Sequence, residues 1–168
     1  MKRLIIVSFL AACLSAHADQ TTQTSKSDHS KVMRLTQMLE ERRLDPAAPE
    51  ARAWLIRWAE AAPDVSILVC DILGPIPGTQ VPYGPELLGQ FMFGNGAFQL
   101  QDPRSKNDVQ KTQMAGVASL LAAYRSIVEA DPSAHIPHFD AWLDKQVSGT
   151  LDAELAPVIQ DKCTSSAP

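Results

Sequence analysis

The sequence predicts an all-α protein built as a single bundle of five to seven helices. Apolar residues recur at intervals of three and four positions along several segments, which places them on one face of a helix. Prolines and acidic residues stand at the starts of several of these segments, where helices favour them. A chain of 168 residues is also long enough to bury the core of one domain.

Residues 1–18 have the composition of a secretory signal peptide. Two basic residues follow the initiating methionine, a mostly apolar stretch covers 4–16, and Ala-His-Ala at 16–18 fits a cleavage site. This stretch is shorter than the roughly twenty residues that span a bilayer. We therefore expect cleavage after Ala18 and a periplasmic or secreted mature protein without a transmembrane segment.

Cys13 offers an alternative location for the mature chain. The sequence Leu-Ala-Ala-Cys at 10–13 has the form of a bacterial lipoprotein signal, in which the cysteine is lipidated and becomes the first residue. The apolar stretch continues past Cys13, so cleavage there would leave an unusually short signal. A lipid anchor through Cys13 stays open beside cleavage after Ala18.

Composition divides the remaining chain into three parts. Residues 19–30 contain no apolar side chain and are predicted to be a flexible linker, 31–163 a single helical domain, and 164–168 a disordered tail. Removing the signal peptide takes two of the 15 basic residues and none of the 19 acidic ones, which leaves a net charge of −6. No basic cluster alternates with aromatic residues, so we do not expect a nucleic-acid partner.

The first two helices are predicted from their ends. Ser30 would cap a helix that reaches about Leu44, where the Asp-Pro pair at 45–46 stops it. Pro49 and Glu50 would open the second helix, whose apolar stripe includes two tryptophans.

Residues 89–102, with the sequence GQFMFGNGAFQLQD, fit both a helix and a hairpin. We favour a helix over 85–101, with Gly89 and Gly96 where a neighbouring helix crosses closely. The alternative is an α+β fold in which 65–70, 90–93 and 97–101 form a small sheet. The short apolar run at 65–73 fits either a buried helix or a strand.

Three further helices are predicted in the C-terminal part. The first covers 107–130 and begins with Ser105-x-x-Asp108, the form of a capping box. The second runs from Pro137 to Gly149. Thr150 would cap the last helix, which Pro157 should kink or split.

Cys70 and Cys163 are the two cysteines of the expected mature chain. Paired cysteines are the simplest arrangement in an oxidising compartment, so we predict a disulfide between them. Such a bond closes a loop of about ninety residues, which the chain-entropy model values at about 4–5 kcal/mol.

His135, His138 and Asp140 form the most concentrated group of metal-ligating residue types. Two imidazoles and a carboxylate within six residues could hold zinc and leave one position for water, as in a metal-dependent hydrolase. Pro137 interrupts the helical register that would align the histidines, and Asp140 suits the first turn of a helix. We therefore expect no metal and no cofactor, and keep the hydrolase as the alternative function.

The favoured function is an exported, non-enzymatic binding module. The common catalytic motifs are missing, and an acidic helical domain fits an inhibitor, immunity or accessory protein that binds another envelope protein or a small ligand. Tyr83 lies in a stiff proline-rich loop suited to recognition. Tyr83, Gly94, Asn95 and Gly96 are the predicted partner or ligand surface.

Overall fold

A computed structural model describes residues 25–42, 44–78 and 80–164. Within these ranges the chain forms six α-helices and no strand, which confirms the predicted helical bundle. The alternative small sheet is wrong, because both of its predicted strands after residue 89 lie inside one helix. The signal peptide, Cys13 and the cleavage site after Ala18 fall outside the described residues, as do 19–24 and 165–168.

The helices follow one another through short connections, apart from one long loop between the second and the third. They are α1 (Lys26–Glu41), α2 (Ala48–Ala61), α3 (Gly84–Gln101), α4 (Val109–Ala130), α5 (Pro137–Ser148) and α6 (Leu151–Thr164), with a 3₁₀ turn at Pro132–Ala134. None of these described helices has the length and apolar composition needed to cross a membrane.

Helix α1 begins before the predicted cap. The Ser25 hydroxyl accepts a hydrogen bond from the Asp28 backbone N–H at 3.1 Å, so Ser25, and not Ser30, is the N-cap. Residues 26–30, predicted to belong to the linker, are therefore helical. This first turn is polar and exposed to solvent. It forms because Ser25 caps it, and it needs no apolar side chain.

Helix α3 lies at the centre of the bundle and resolves the ambiguity of residues 89–102. It contacts α1, α2 and α4. Phe91 and Phe93 are both fully buried on different sides of it. Phe91 packs into an apolar cluster with α4, α5 and α6, while Phe93 joins a second cluster with α1 and α2. A helix that is buried on several sides is apolar around its whole circumference, which explains why its sequence lacks a single apolar stripe.

The segment 65–73 is neither of the two predicted elements. It runs without regular structure, and two glutamine side chains bind its backbone. The Gln99 amide accepts from the Ser66 N–H and donates to the Ser66 carbonyl, both at 2.9 Å. The Gln113 amide donates to the Leu68 carbonyl at 2.8 Å. Side chains thus satisfy backbone groups that a sheet would otherwise pair.

Cys70 lies within this segment, and its sulfur lies 2.14 Å from that of Cys163. This is the distance of a disulfide bond, as the sequence predicts, and both residues are buried. The pair joins the irregular segment to the last turns of α6, across 93 positions of sequence.

The C-terminal helices match the prediction with two changes. Helix α4 is capped by Asp108, whose carboxylate accepts from the Lys111 N–H at 3.1 Å, so the predicted cap at Ser105 is wrong. Helix α5 ends at Gly149, whose φ of 72° suits a glycine C-cap. Helix α6 continues through Pro157 and is not split.

Candidate functional site

The structure brings His135 and Asp140 together, and it places His138 elsewhere. The His135 Nδ1 atom lies 3.1 Å from the Asp140 Oδ1 atom on the exposed side of α5. His138 instead packs on Trp142, with ring centroids 4.5 Å apart, beneath Gly74. Among residues 25–42, 44–78 and 80–164, no group of three or more His, Cys, Asp or Glu side chains is placed to hold a metal.

Tyr124 completes the hydrogen bonding of Asp140. Its hydroxyl donates to Asp140 Oδ1 at 2.7 Å and accepts from the Ile136 N–H at 2.7 Å. Burial is the largest cause that raises the pKa of Tyr124, to about 12. The phenol thus stays protonated and fixes the start of α5. We call Tyr124, Asp140 and His135 the α5 cluster.

Tyr83 has a structural contact of its own. It is half-buried, occupies the left-handed region at φ 54°, and its hydroxyl donates to Asp131 Oδ2 at 3.0 Å. This hydrogen bond is the largest cause that raises the pKa of Tyr83. The contact attaches the loop before α3 to the end of α4.

Gly94, Asn95 and Gly96 are buried within α3 and do not form an exposed turn. A Cβ atom at Gly94 would lie 2.2 Å from the Ser119 Cβ atom, so α3 and α4 approach closely there. Asn95 accepts a hydrogen bond from Gln99 at 2.8 Å. The predicted close crossing at Gly89 is wrong, because a Cβ atom there would meet only Phe93 of its own helix, at 3.5 Å.

A groove of about 660 Å³ lies between α1, α3 and α4, and we call it the α1–α4 groove. Small side chains from α3 and α4 line much of it, and α1 supplies most of its polar side chains. The described residues that line it are Met33, Thr36, Gln37, Glu40, Glu41, Gly94, Ala97, Phe98, Gln101, Ala115, Ala118, Ser119 and Ala122. Two of them are acidic and none is basic.

Ser119 joins the three helices beneath this groove. Its hydroxyl donates to Glu40 Oε1 at 2.5 Å and accepts from Gln90 Nε2 at 2.8 Å. The same Gln90 nitrogen donates to the Thr36 carbonyl at 3.2 Å. We call Thr36, Glu40, Gln90 and Ser119 the groove cluster.

The groove cluster leaves several polar groups unmatched. No Lys, Arg or His side chain of the described residues lies within ion-pair distance of Glu40. Burial is the largest cause that raises the pKa of Glu40, the Ser119 hydrogen bond opposes it, and the Glu41 charge adds to it. The Thr36 Oγ1 and Gln90 Oε1 atoms are buried without a hydrogen-bond partner in this part of the chain.

Sequence reasoning missed the groove cluster because its members are far apart along the chain. Ser119 and Glu40 are 79 positions apart, and Gln90 is 54 positions from Thr36. The sequence does contain one signal of the cluster: α1, α3 and α4 each carry a polar residue at a position on their otherwise apolar, buried face. Such a residue is costly to bury unless its hydrogen bonds are made.

Comparisons with protein-family models, with curated proteins and with solved structures gave no match.

Proposed function

We propose that the protein is an exported, non-enzymatic helical module that binds another envelope protein through the α1–α4 groove. An inhibitor, an immunity protein and an assembly accessory are all modules of this kind. One observation carries the proposal: a groove of about 660 Å³ between three helices combines an apolar wall with acidic side chains, and its described lining has no basic residue. Concave surfaces that combine apolar area with a few polar groups are the usual sites of ligand binding.

The shape of the groove supports a protein segment as the ligand. Its volume of about 660 Å³ lies in the range of ligand sites, and it is open along three helices. Gly94 and the alanines are small and leave space in the groove, while Met33 and Phe98 supply apolar contact surface. Side chains of a docking segment would find both apolar area and polar anchors there.

Export is supported by two independent features. The first 18 residues have the signal-peptide pattern, and Cys70 and Cys163 lie at disulfide distance. Disulfides persist in oxidising compartments such as the bacterial periplasm.

The metal-dependent hydrolase is the weaker alternative. It requires His135, His138 and Asp140 to converge, whereas His138 packs beneath Gly74 and Asp140 is held by Tyr124. This arrangement does not favour a hydrolase centred on these residues.

Site-specific photo-crosslinking in the envelope of the protein's own host tests the groove. A benzoylphenylalanine replaces Ala118, which is exposed and lines the groove, and in a control chain it replaces the exposed Glu60 on α2. We expect one discrete adduct from position 118 and none from position 60. No adduct at 118, or equal adducts at both positions, would contradict the proposal.

A further inference from the structure

Residues 65–69, with the sequence VSILV, lie against α3 and α4 with one edge of their backbone bonded to these helices. Ser66 binds the Gln99 amide through both its N–H and its carbonyl, at 2.9 Å each. One side chain reaches both groups when they point the same way, as they do in a strand. Gln113 donates to the carbonyl of Leu68, two positions further on, at 2.8 Å. The edge that faces the bundle is therefore occupied.

The opposite edge of this segment is unpaired. Backbone groups of alternate residues in an extended chain point to opposite edges, so those of Val65, Ile67 and Val69 face away from the two glutamines. The N–H and carbonyl groups of these three residues have no hydrogen-bond partner in the described part of the chain. The side chains of Leu68 and Val69 are 37% and 46% exposed. We call this backbone the 65–69 edge.

A cavity of about 260 Å³ lies at the C-terminal end of the 65–69 edge, between this segment, the loop that follows it and α3. Its described lining is mostly apolar and consists of Val69, Cys70, Asp71, Leu73, Ile76, Pro77 and Leu88. Asp71 is its charged member, is exposed, and has no ion-pair partner among the described residues. The cavity thus offers space for an apolar side chain next to a carboxylate.

We propose that the 65–69 edge binds an extended segment of a partner protein, which adds a strand to it. An apolar side chain of that segment enters the cavity, and a basic residue pairs with Asp71. In strand addition, backbone hydrogen bonds supply affinity and pockets select side chains. The segment carries no lysine or proline of the kind that protects edges from such pairing. This inference goes beyond the proposed function, because no residue of the 65–69 edge lines the α1–α4 groove.

Charge disfavours a second copy of this chain as the occupant. The acidic residues Asp64 and Asp71 flank the segment. Antiparallel pairing of two copies about Ile67 would bring these carboxylates near one another, and like charges across a strand pair oppose pairing. A partner segment with an apolar centre and basic ends has the complementary charge instead.

An NMR titration at pH 7 tests the proposal with two blocked peptides and the ¹⁵N-labelled chain. The first peptide is Ac-Lys-Val-Thr-Val-Thr-Val-Lys-NH2. The control is the same peptide N-methylated at its three central residues, which removes backbone donors and keeps charge and side chains. We expect the first peptide to bind about tenfold more tightly. It should slow the solvent exchange of the Ile67 and Val69 amides, whereas that of Ser66, which is already bonded, changes little.

Two pairs of variants test the same contacts from the side of the protein. Val69→Pro removes one donor of the 65–69 edge, and Val69→Thr keeps that donor and a branched side chain. We expect the proline variant to lose at least about fivefold in affinity for the first peptide and the threonine variant to keep it. Asp71→Asn should weaken binding about threefold, and the charge-matched control Asp152→Asn, exposed on α6, should not.

Several results would overturn strand addition. Equal affinity of the two peptides would show that backbone donors are not recognised, and protection of Ser66 equal to that of Ile67 would contradict the alternating pattern. These two readouts use the unaltered chain, so they decide the matter even where Val69→Pro fails to fold. A concentration-dependent dimer in analytical ultracentrifugation would make a second copy the occupant. No binding of either peptide would also end the proposal, and the adduct at position 118 decides the proposed function separately.

Discussion

The α5 cluster and the groove cluster are both polar groups between packed helices, but they differ in how completely their bonds are made. In the α5 cluster, Asp140 accepts from Tyr124 and pairs with His135, and Tyr124 also satisfies the Ile136 N–H. In the groove cluster, Glu40 has a hydroxyl and no described cation.

This difference supports the choice of the groove over the α5 cluster as the candidate site. Satisfied polar groups stabilise a fold and gain nothing further from a partner, whereas an incomplete group gains free energy when its partner arrives. The hydrogen bonds of Asp140 give the concentrated motif His135–Asp140 a structural explanation, and the dispersed groove cluster is the candidate site.

Gly94→Ala disrupts the close approach of α3 and α4 beside the groove, and we expect it to have the largest effect on stability. The new Cβ atom would meet Ser119 at 2.2 Å and push α3 away from α4. We expect the free energy of unfolding to fall by about 3 kcal/mol in urea titrations. Gly89→Ala is the matched control, because its Cβ atom has ordinary contacts and helix propensity favours alanine by about 1 kcal/mol. Equal losses in both variants would contradict the close approach.

Tyr124→Phe would break the α5 cluster. Removing the hydroxyl leaves the buried Ile136 N–H without its acceptor and takes from Asp140 the hydrogen bond of Tyr124. We expect a loss of about 2 kcal/mol in the same assay. Tyr83→Phe removes a less buried hydrogen bond and should cost less than about 1 kcal/mol. A neutral Tyr124→Phe would show that the cluster does not stabilise the fold.

His138, which lies in α5, should make the stability of the protein depend on pH. Burial is the largest cause that lowers the pKa of His138 below its usual 6.5, and the Lys145 charge adds to it. Because the unfolded chain takes up this proton first, stability should be fully present above pH 6.5 and decrease as the pH falls through that value. Thermal melting of His138→Gln should lose this slope, while His135→Gln keeps it. An unchanged slope in His138→Gln would assign the effect to another group.

Glu40→Gln is expected to have the smallest effect on stability and the most informative sign. The folded chain holds the Glu40 proton more tightly than the unfolded chain does, because burial raises its pKa above 4.5. Stability from this group is present below pH 4.5 and is lost as the pH rises through the folded pKa. Glu40→Gln should therefore gain stability over wild type as the pH rises, and Glu60→Gln should not. A loss of stability at pH 7 would mean that Glu40 is already paired.

Local patterns account for the features that the sequence predicts. Prolines and glycines at the helix ends predict the bounds of α2 and α5 to within a few residues. The pairing of Cys70 and Cys163 is predicted because they are the two cysteines that remain after export. The favoured helix over 85–101 is confirmed, and the structure adds its central position in the bundle. These properties depend on residues near one another in the chain or on simple counting.

The rest depended on tertiary contacts. Segment 65–73 has no regular structure because Gln99 and Gln113, from α3 and α4, bind its backbone. Periodicity cannot reveal such partners. Glu40 and Ser119 come into contact only when α1, α3 and α4 pack together. No local sequence pattern could therefore identify the groove cluster.

The most direct measurement is the ¹³C carboxyl titration of Glu40, followed by NMR. We expect the Glu40 pKa above its usual 4.5, because burial disfavours the charged form and the Ser119 hydrogen bond only partly opposes it. A Glu40 pKa at or below 4.5 would contradict the account, because it would mean that the carboxylate is already paired in the folded chain.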